Sequence, residues 1–257
     1  MQLSQKQRQL EISKLLQQEG FATIDYLVAE LQVTPQTIRR DLAVMAEAQL
    51  IERHHGGASH RSSVTNTHYQ ARKILNQQEK EAIADTVAGL IPDDASLFIN
   101  IGTTTETIAR KLLDHRGLRV VTNNLHVASI MSAKEDFQVM IAPGQIRYND
   151  GGVVGDATRD YIEKFRMDFG IIGISGIHAD GTLLDYDDRE VSVARSIIQH
   201  SEHVILAADH SKFGRSAMVQ LGNLGQADYF VTDQRPSDKI CKLLKQNKVA
   251  LHIPHSS

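Results

Sequence analysis

The sequence predicts a small, mainly helical head followed by a larger α/β domain built on a mostly parallel sheet. Three observations predict it. The first fifty residues carry three short amphipathic helical patterns, the chain from about Glu79 onward alternates helical patterns with apolar strand-like runs, and a polar stretch without periodicity lies between. At 257 residues and 41% hydrophobic, the chain can bury one ordinary core and a second, smaller one.

In the head, Ile12, Leu15 and Leu16 sit at helical spacing, and Ile24, Leu27, Val28 and Leu31 repeat it. The first helix is expected to end near Gly20, and the second to start after Thr23, with Asp25 in its first turn. A third begins at Thr34-Pro35, where Thr caps and Pro takes the tolerated first helical position. Gln32-Val33 alone separates the last two, which makes a helix-turn-helix. The run Leu50 to Ala58 reads as a strand entering a glycine turn, a candidate wing. Residues 1–58 are therefore assigned to a winged helix-turn-helix, 59–75 to a linker, and 76–257 to an α/β effector-binding and oligomerisation domain.

The strand-like runs of that domain are Ser96 to Ile101, Arg119 to Thr122, Gln138 to Ala142, Phe169 to Ile174, His203 to Ala208, Tyr229 to Thr232 and Val249 to Ile253. Helical patterns between them predict parallel strands covered by helices.

Composition narrows the function. A formal net charge of −3 draws the whole chain neither to nucleic acid nor to anionic membranes. The single cysteine, Cys241, allows no disulfide framework and no thiolate metal site, and the sequence calls for no cofactor. No apolar run approaches the ~20 residues that span a bilayer, and the polar start MQLSQKQRQ lacks a signal-peptide core, so a cytoplasmic chain without a membrane partner is expected.

DNA affinity must then come from a local surface. At about 100° per residue, Pro35, Leu42 and Met45 fall with Ile38 on one side of the third helix. Gln36, Arg39, Arg40 and Ala43 fall on the other, with Thr37 at its edge. A free polar face with two arginines suits entry into the major groove, where Gln pairs with adenine and Arg with guanine or phosphate. Two arginines alone would be an ordinary solvated face; the short helix before them and the wing behind them favour DNA. Residues 1–60 hold Lys6, Arg8, Lys14, Arg39, Arg40 and Arg53 against Glu11, Glu19, Asp25, Glu30, Asp41, Glu47 and Glu52, a net charge of −1. Binding to double-stranded operator DNA therefore needs geometry that presents Thr34, Gln36, Thr37, Arg39, Arg40, Arg53 and Arg61 while the acids face elsewhere. His54 and His55 alternate across a strand and have no third ligand at metal spacing, so wing contacts to DNA are expected of them.

In the larger domain, Gly102, Thr103, Thr104 and Thr105 follow an apolar strand and precede a helix expected over Glu106 to Leu113. A glycine turn into a helix N-terminus offers free N–H groups and a favourable dipole to a phosphate. Further polar clusters follow other strands: Thr122-Asn123-Asn124, Gly144-Gln145, Ser175-Gly176 and Asp209-His210-Ser211-Lys212. In an open α/β sheet such clusters converge on one crevice, with Lys212 as the cation and Asp209 as an acceptor or as the lysine's partner. Each alone is an ordinary loop or cap residue.

Taken together, Val33-Thr34-Pro35-Gln36-Thr37-Ile38-Arg39-Arg40-Asp41-Leu42 and His54-His55-Gly56-Gly57-Ala58 resemble the signature of the DeoR family of bacterial repressors. Ile101-Gly102-Thr103-Thr104, Thr122-Asn123-Asn124 and Asp209 to Gly214 extend the resemblance over nearly the whole chain. It implies a C-terminal domain resembling ribose-5-phosphate isomerase, a phosphorylated small-molecule inducer of sugar-phosphate type that releases operator DNA, and a homo-oligomer, dimer or tetramer. Two residues depart from the family pattern: Asn100 stands where an acid is usual, and Pro143-Gly144 where two glycines are usual.

The alternative is a sugar-phosphate isomerase carrying a DNA-binding head. Asp185, Asp187, Asp188 or Glu190 would supply its base, yet that charged stretch reads as a solvated loop or helix start. No catalytic residue is assigned.

Overall fold

The computed structural model describes residues 3–48, 50–54, 56–60 and 69–254. The chain divides into two compact units, Met1–Asn76 and Gln77–Ser257.

The first unit opens with α1 (Gln5–Glu19), capped by Ser4 and closed by Gly20 at a positive φ of 70°. Strand β1 (Phe21–Thr23) leads into α2 (Ile24–Leu31), whose N-cap Thr23 accepts from the Tyr26 amide. Thr34 caps α3 (Pro35–Glu47), and Pro35 takes its first position. Strands β2 (Ile51–His54) and β3 (Gly57–His60) form a hairpin whose turn includes Gly56 at φ 87°, and β1 adds to the free side of β3. Gly57 must be glycine here. A Cβ on it would stand 2.3 Å from the Ala22 carbonyl of β1. Ile12, Leu16, Leu27, Ile38, Leu42, Met45 and Ile51 form the core.

The expected third helix and wing are thus present, with two differences. β3 runs on through 59 and 60, two positions beyond the expected end of the head, and α4 (Tyr69–Ile74) occupies the later part of the stretch read as linker. His55 and residues 61–67, Arg61 included, lie outside the described residues.

One charge pair sits inside this unit. Arg8 donates through Nε to Asp41, whose side chain is 1% exposed. Removing one member of a buried pair leaves the other's charge uncompensated. Arg8→Ala is expected to cost the head about 2 kcal/mol, moderated because Arg8 touches solvent. The check is a shift of its urea midpoint. Arg8→Ala with Asp41→Ala should recover part of the loss, and an unchanged midpoint in the single variant would refute the account.

The second unit begins with α5 (Gln77–Ala88) and then lays down a seven-stranded sheet. Its strands are β4 (Ser96–Ile99), β5 (Arg119–Thr122), β6 (Gln138–Ile141), β9 (Met167–Ile172), β12 (Ser201–Ala207), β14 (Tyr229–Val231) and β15 (Ala250–His252). Every pairing in it is parallel. All seven apolar runs read from the sequence are in this sheet. Across it the order is β15-β14-β12-β9-β4-β5-β6. The chain starts in the middle at β4, builds outward to β6, then returns to β9 and builds the other way. The strand order therefore reverses between β4 and β9, where doubly wound sheets bind ligands.

Helices cover both faces. Ile83 of α5, Ile108 of α6 (Thr103–Lys111) and Val127 and Met131 of α7 (Leu125–Met131) pack one face with Leu97, Ile99 and Val120. Ile162 of α8 (Asp156–Ile162), Ala194 and Ile197 of α9 (Asp188–Gln199) and Ile240 and Leu244 of α10 (Asp238–Gln246) pack the other with Phe98 and Val121. Two smaller pieces were not foreseen: a hairpin of β7 (Gln145–Ile146) and β8 (Val153–Val154), and an antiparallel sheet of β10 (Gly176–Ile177), β11 (Thr182–Asp185) and β13 (Val219–Asn223). No helix among the described residues is long and apolar enough to cross a membrane.

Candidate DNA-reading face and effector site

On α3, Ile38, Leu42 and Met45 are buried while Gln36, Arg39 and Arg40 are exposed, as the helical projection requires. Pro35 departs from that projection and is exposed, at the very first position of the helix. Thr34 Oγ1 accepts from the Thr37 amide at 3.3 Å and lies 2.9 Å from Thr37 Oγ1, so these threonines fix the tip of the helix. Asp41 lies on the buried side with Arg8, so its negative charge does not share the face of Arg39 and Arg40. On the wing, Arg53 is exposed. His54 turns the other way: its Nε2 is 2.7 Å from Ser59 Oγ and its ring meets Phe21 edge-on. That gives His54 a packing role within the wing.

In the second unit, α6 begins three residues before the expected start, so Thr103, Thr104 and Thr105 form its first turn. Gly102 is the N-cap at φ 150°, has no side chain to cap with, and leaves the first amides of the helix to another acceptor. The first backbone bond of the helix is Glu106 N–H to the Gly102 carbonyl, 3.0 Å. Thr105 Oγ1 instead donates to the Asn100 and Gly102 carbonyls at 2.8 and 2.7 Å, tying down the turn.

Two strands away, Asp209 is fully buried after β12. Burial alone would raise its pKa. The charges of Lys212 and Lys80 and the bonds from Ser211 outweigh that and hold it at about 2. Lys212 Nζ is 3.9 Å from Asp209 Oδ2, and the Ser211 amide donates to Oδ1 at 3.0 Å. The 3-10 turn His210–Lys212 that carries these groups is pinned by Asp233, which accepts from the His210 amide and lies 2.6 Å from its Nδ1. Glu79 brings a carboxylate oxygen within 4.8 Å of that pair; the His–Asp bond accounts for the arrangement. With a folded pKa below the unfolded value of about 3.9, Asp209 contributes stability above pH ~4 that is lost as pH falls through 2. Asp209→Asn is therefore expected to cost about 2 kcal/mol at neutral pH, a gap that closes between pH 4 and 2. Urea midpoints of both proteins across pH 7 to 2 test it; a gap independent of pH would refute the charge assignment.

Lys80 was not foreseen. It lies on α5 three and four residues before Ile83 and Ala84 and seven before Val87, and all four are buried. A lysine on the apolar stripe of a helix was the available signal, because lysine is almost never fully buried unless paired.

Other candidates have internal tasks. Asn124 caps α7, accepting from the His126 and Val127 amides, and donates through Nδ2 to Glu106 at 3.4 Å. Gly144 is a tight turn at φ 152°, where a Cβ would meet Thr158 Oγ1 at 2.1 Å. The stretch 185–190, read as a solvated loop or helix start, does start a helix, with Asp187 capping α9, but its acids are paired rather than solvated. Asp185 is buried and accepts from Ser175 Oγ at 3.0 Å. Arg147 Nη1 lies 2.7 Å from Glu190 and 3.2 Å from Asp187, and Nη2 2.8 Å from Asp150. Burial of Arg147 favours pairing over solvation, and only Asp188 and Arg189 of that stretch stay exposed. For Asp187, burial raises the pKa but bonds from Arg189 and Arg147 leave it below the usual carboxylate value, away from the range that suits a base at neutral pH.

Comparison with known proteins gives the same two-part reading. A model described as the DeoR-like helix-turn-helix domain matches residues 8–64, and one described as the DeoR C terminal sensor domain matches residues 75–234. The chain belongs to the DeoR family. It is 48% identical over 251 residues to the glycerol-3-phosphate regulon repressor of Escherichia coli (strain K12), covering 98% of this chain and 100% of that protein. It is 50% identical to the Haemophilus influenzae repressor of the same name, covering 97% of each. A ribose 5-phosphate isomerase A from Neisseria gonorrhoeae matches 52% of either chain at 14% identity and a TM-score of 0.38. This DeoR-family member is a transcriptional repressor close to the glycerol-3-phosphate regulon repressors.

Proposed function

We propose that this repressor binds operator DNA through α3 and its wing and is released by glycerol 3-phosphate bound at the carboxyl edge of the parallel sheet. The exposed face Gln36, Arg39 and Arg40, set above the buried Ile38, Leu42 and Met45, carries the DNA reading. Thr34 and Thr37 at the helix tip and Arg53 on the wing add phosphate contacts. The ligand reading rests on Asp209 and Lys212 after β12, on Lys80 of α5, whose charge acts on Asp209, on the uncapped α6 N-terminus, and on the names of the relatives. Gly102, Thr103 and Thr104 would receive the phosphate.

One recognition helix reads too few base pairs for a genome-wide search, so two copies are expected on half-sites about one turn apart, joined through the larger unit. Light scattering with and without DNA checks this; a monomer in both states would refute it. The test of the whole reading is fluorescence anisotropy with duplexes selected from a random library. The expected result is salt-dependent binding reversed by glycerol 3-phosphate and not by a hexose phosphate. Turnover of sugar phosphates would instead support the isomerase reading.

A further inference from the structure

Two buried carboxamides stand at the carboxyl edge, each with an acceptor that no donor among the described residues uses. Asn100 follows β4 and Asn123 follows β5, and the parallel register sets Ile99 opposite Thr122, so the two asparagines are neighbours across the ladder. Continued one residue past each strand, the pleat puts both on the same face. Phe98 and Val121, two residues earlier on each strand, both belong to the core under α8, α9 and α10, whereas Leu97, Ile99 and Val120 belong to the opposite one.

Asn100 is 2% exposed and Asn123 fully buried. The Asn100 amide donates to the Ile171 carbonyl at 3.0 Å and its carbonyl accepts from Thr105, which fixes its backbone at the point where the strand order reverses. Asn123 Nδ2 donates to the Val153 carbonyl at 3.1 Å. The Oδ1 atoms of both side chains are buried without a hydrogen-bond partner among the described residues. Native folds keep few such atoms, and two on adjacent strand ends beside the proposed phosphate site ask for a common donor.

We infer that Asn100 and Asn123 receive hydroxyl groups of the ligand and make the site selective for a polyol phosphate over a phosphate without hydroxyls. The assignment rests on the phosphate reading above. A phosphate oxygen offers these acceptors no proton. A hydroxyl is a neutral donor, and because it also accepts it suits a carboxamide in either orientation.

The test uses the full chain and isothermal titration with inorganic phosphate, n-propyl phosphate and glycerol 3-phosphate, the last two differing only in two hydroxyls. Wild type is expected to bind glycerol 3-phosphate ~100-fold or more tightly than n-propyl phosphate, because a site built to pair a hydroxyl rejects the analogue that lacks it. Asn100→Ala should lose most of that preference while holding n-propyl phosphate within about 3-fold of wild type, since only the hydroxyl partner is gone. Equal affinity for the two esters in wild type would overturn the inference while leaving the phosphate site intact, whether or not the variant folds. A preference unchanged in Asn100→Ala would overturn the role of Asn100. Failure of all three phosphates to bind would overturn the phosphate site, and the hydroxyl assignment with it.

Discussion

Arg39→Ala and Arg40→Ala are each expected to end useful operator binding while leaving the fold intact. Both side chains are exposed on α3, and the residues that seat the helix, Ile38, Leu42 and Met45, are untouched. Exposed substitutions of this kind change stability by about 0.5 kcal/mol or less. The loss in binding depends on what each guanidinium touches. A bidentate contact to guanine is worth about 1–3 kcal/mol and its loss relaxes specificity at one base pair. A phosphate contact would instead weaken all sequences alike and lower the salt slope by about one. Operator titrations at four salt concentrations separate these outcomes for each variant. If both variants bound like wild type with unchanged salt slopes, α3 would not be the reading helix.

The helices of the head were legible because their ends are written locally. Thr23 and Thr34 cap, Pro35 starts and Gly20 stops, and each rule acts within four residues. The seven core strands were legible because a buried parallel strand is a continuous apolar run. Strand β1 was not: three residues, Phe21 to Thr23, become a strand only because β3 arrives 36 residues later to pair Thr23 with Gly57 and Phe21 with Ser59. The β10-β11-β13 sheet has the same origin, since β11 and β13 pair across more than thirty residues.

The candidate effector site takes its outline from the strand ends, which the sequence shows, and its detail from contacts that the sequence does not show. Loop position suggested Asn124 and Gly144, but their side-chain and backbone duties depend on Glu106 and Thr158, which sit on other elements. Asn100 departs from the family pattern in the sequence, but that its buried acceptor lacks a partner among the described residues depends on β5 and β9 flanking it. In the 185–190 stretch the helix start is local to Asp187 and Asp188, whereas the pairing that takes its acids out of water depends on Arg147, about forty residues earlier in the chain.

Lys212→Ala is expected to yield a repressor that binds operator normally and no longer responds to glycerol 3-phosphate. Lys212 is mostly buried against Asp209, and together with Lys80 it supplies the positive charge nearest that carboxylate. Without it the proposed phosphate site would keep the α6 amides and Lys80 but lose one cation, so ligand affinity should fall while α3 and the wing are unchanged. A ligand weakens operator binding only to the extent that it prefers the form of the protein that releases DNA, and coupling of this kind is typically about 1–3 kcal/mol. Reciprocity adds a second reading of the same quantity: in wild type the operator must weaken glycerol 3-phosphate binding by the factor with which glycerol 3-phosphate weakens operator binding. The experiment is a pair of titrations, ligand with and without operator and operator with and without ligand, run on wild type and on Lys212→Ala. The expected result is equal factors in wild type and factors near one in the variant at ligand concentrations that release the wild type. If Lys212→Ala lost operator affinity yet bound the ester normally, the lysine would serve only to hold Asp209 and its turn, and the phosphate would have to sit elsewhere along the strand ends.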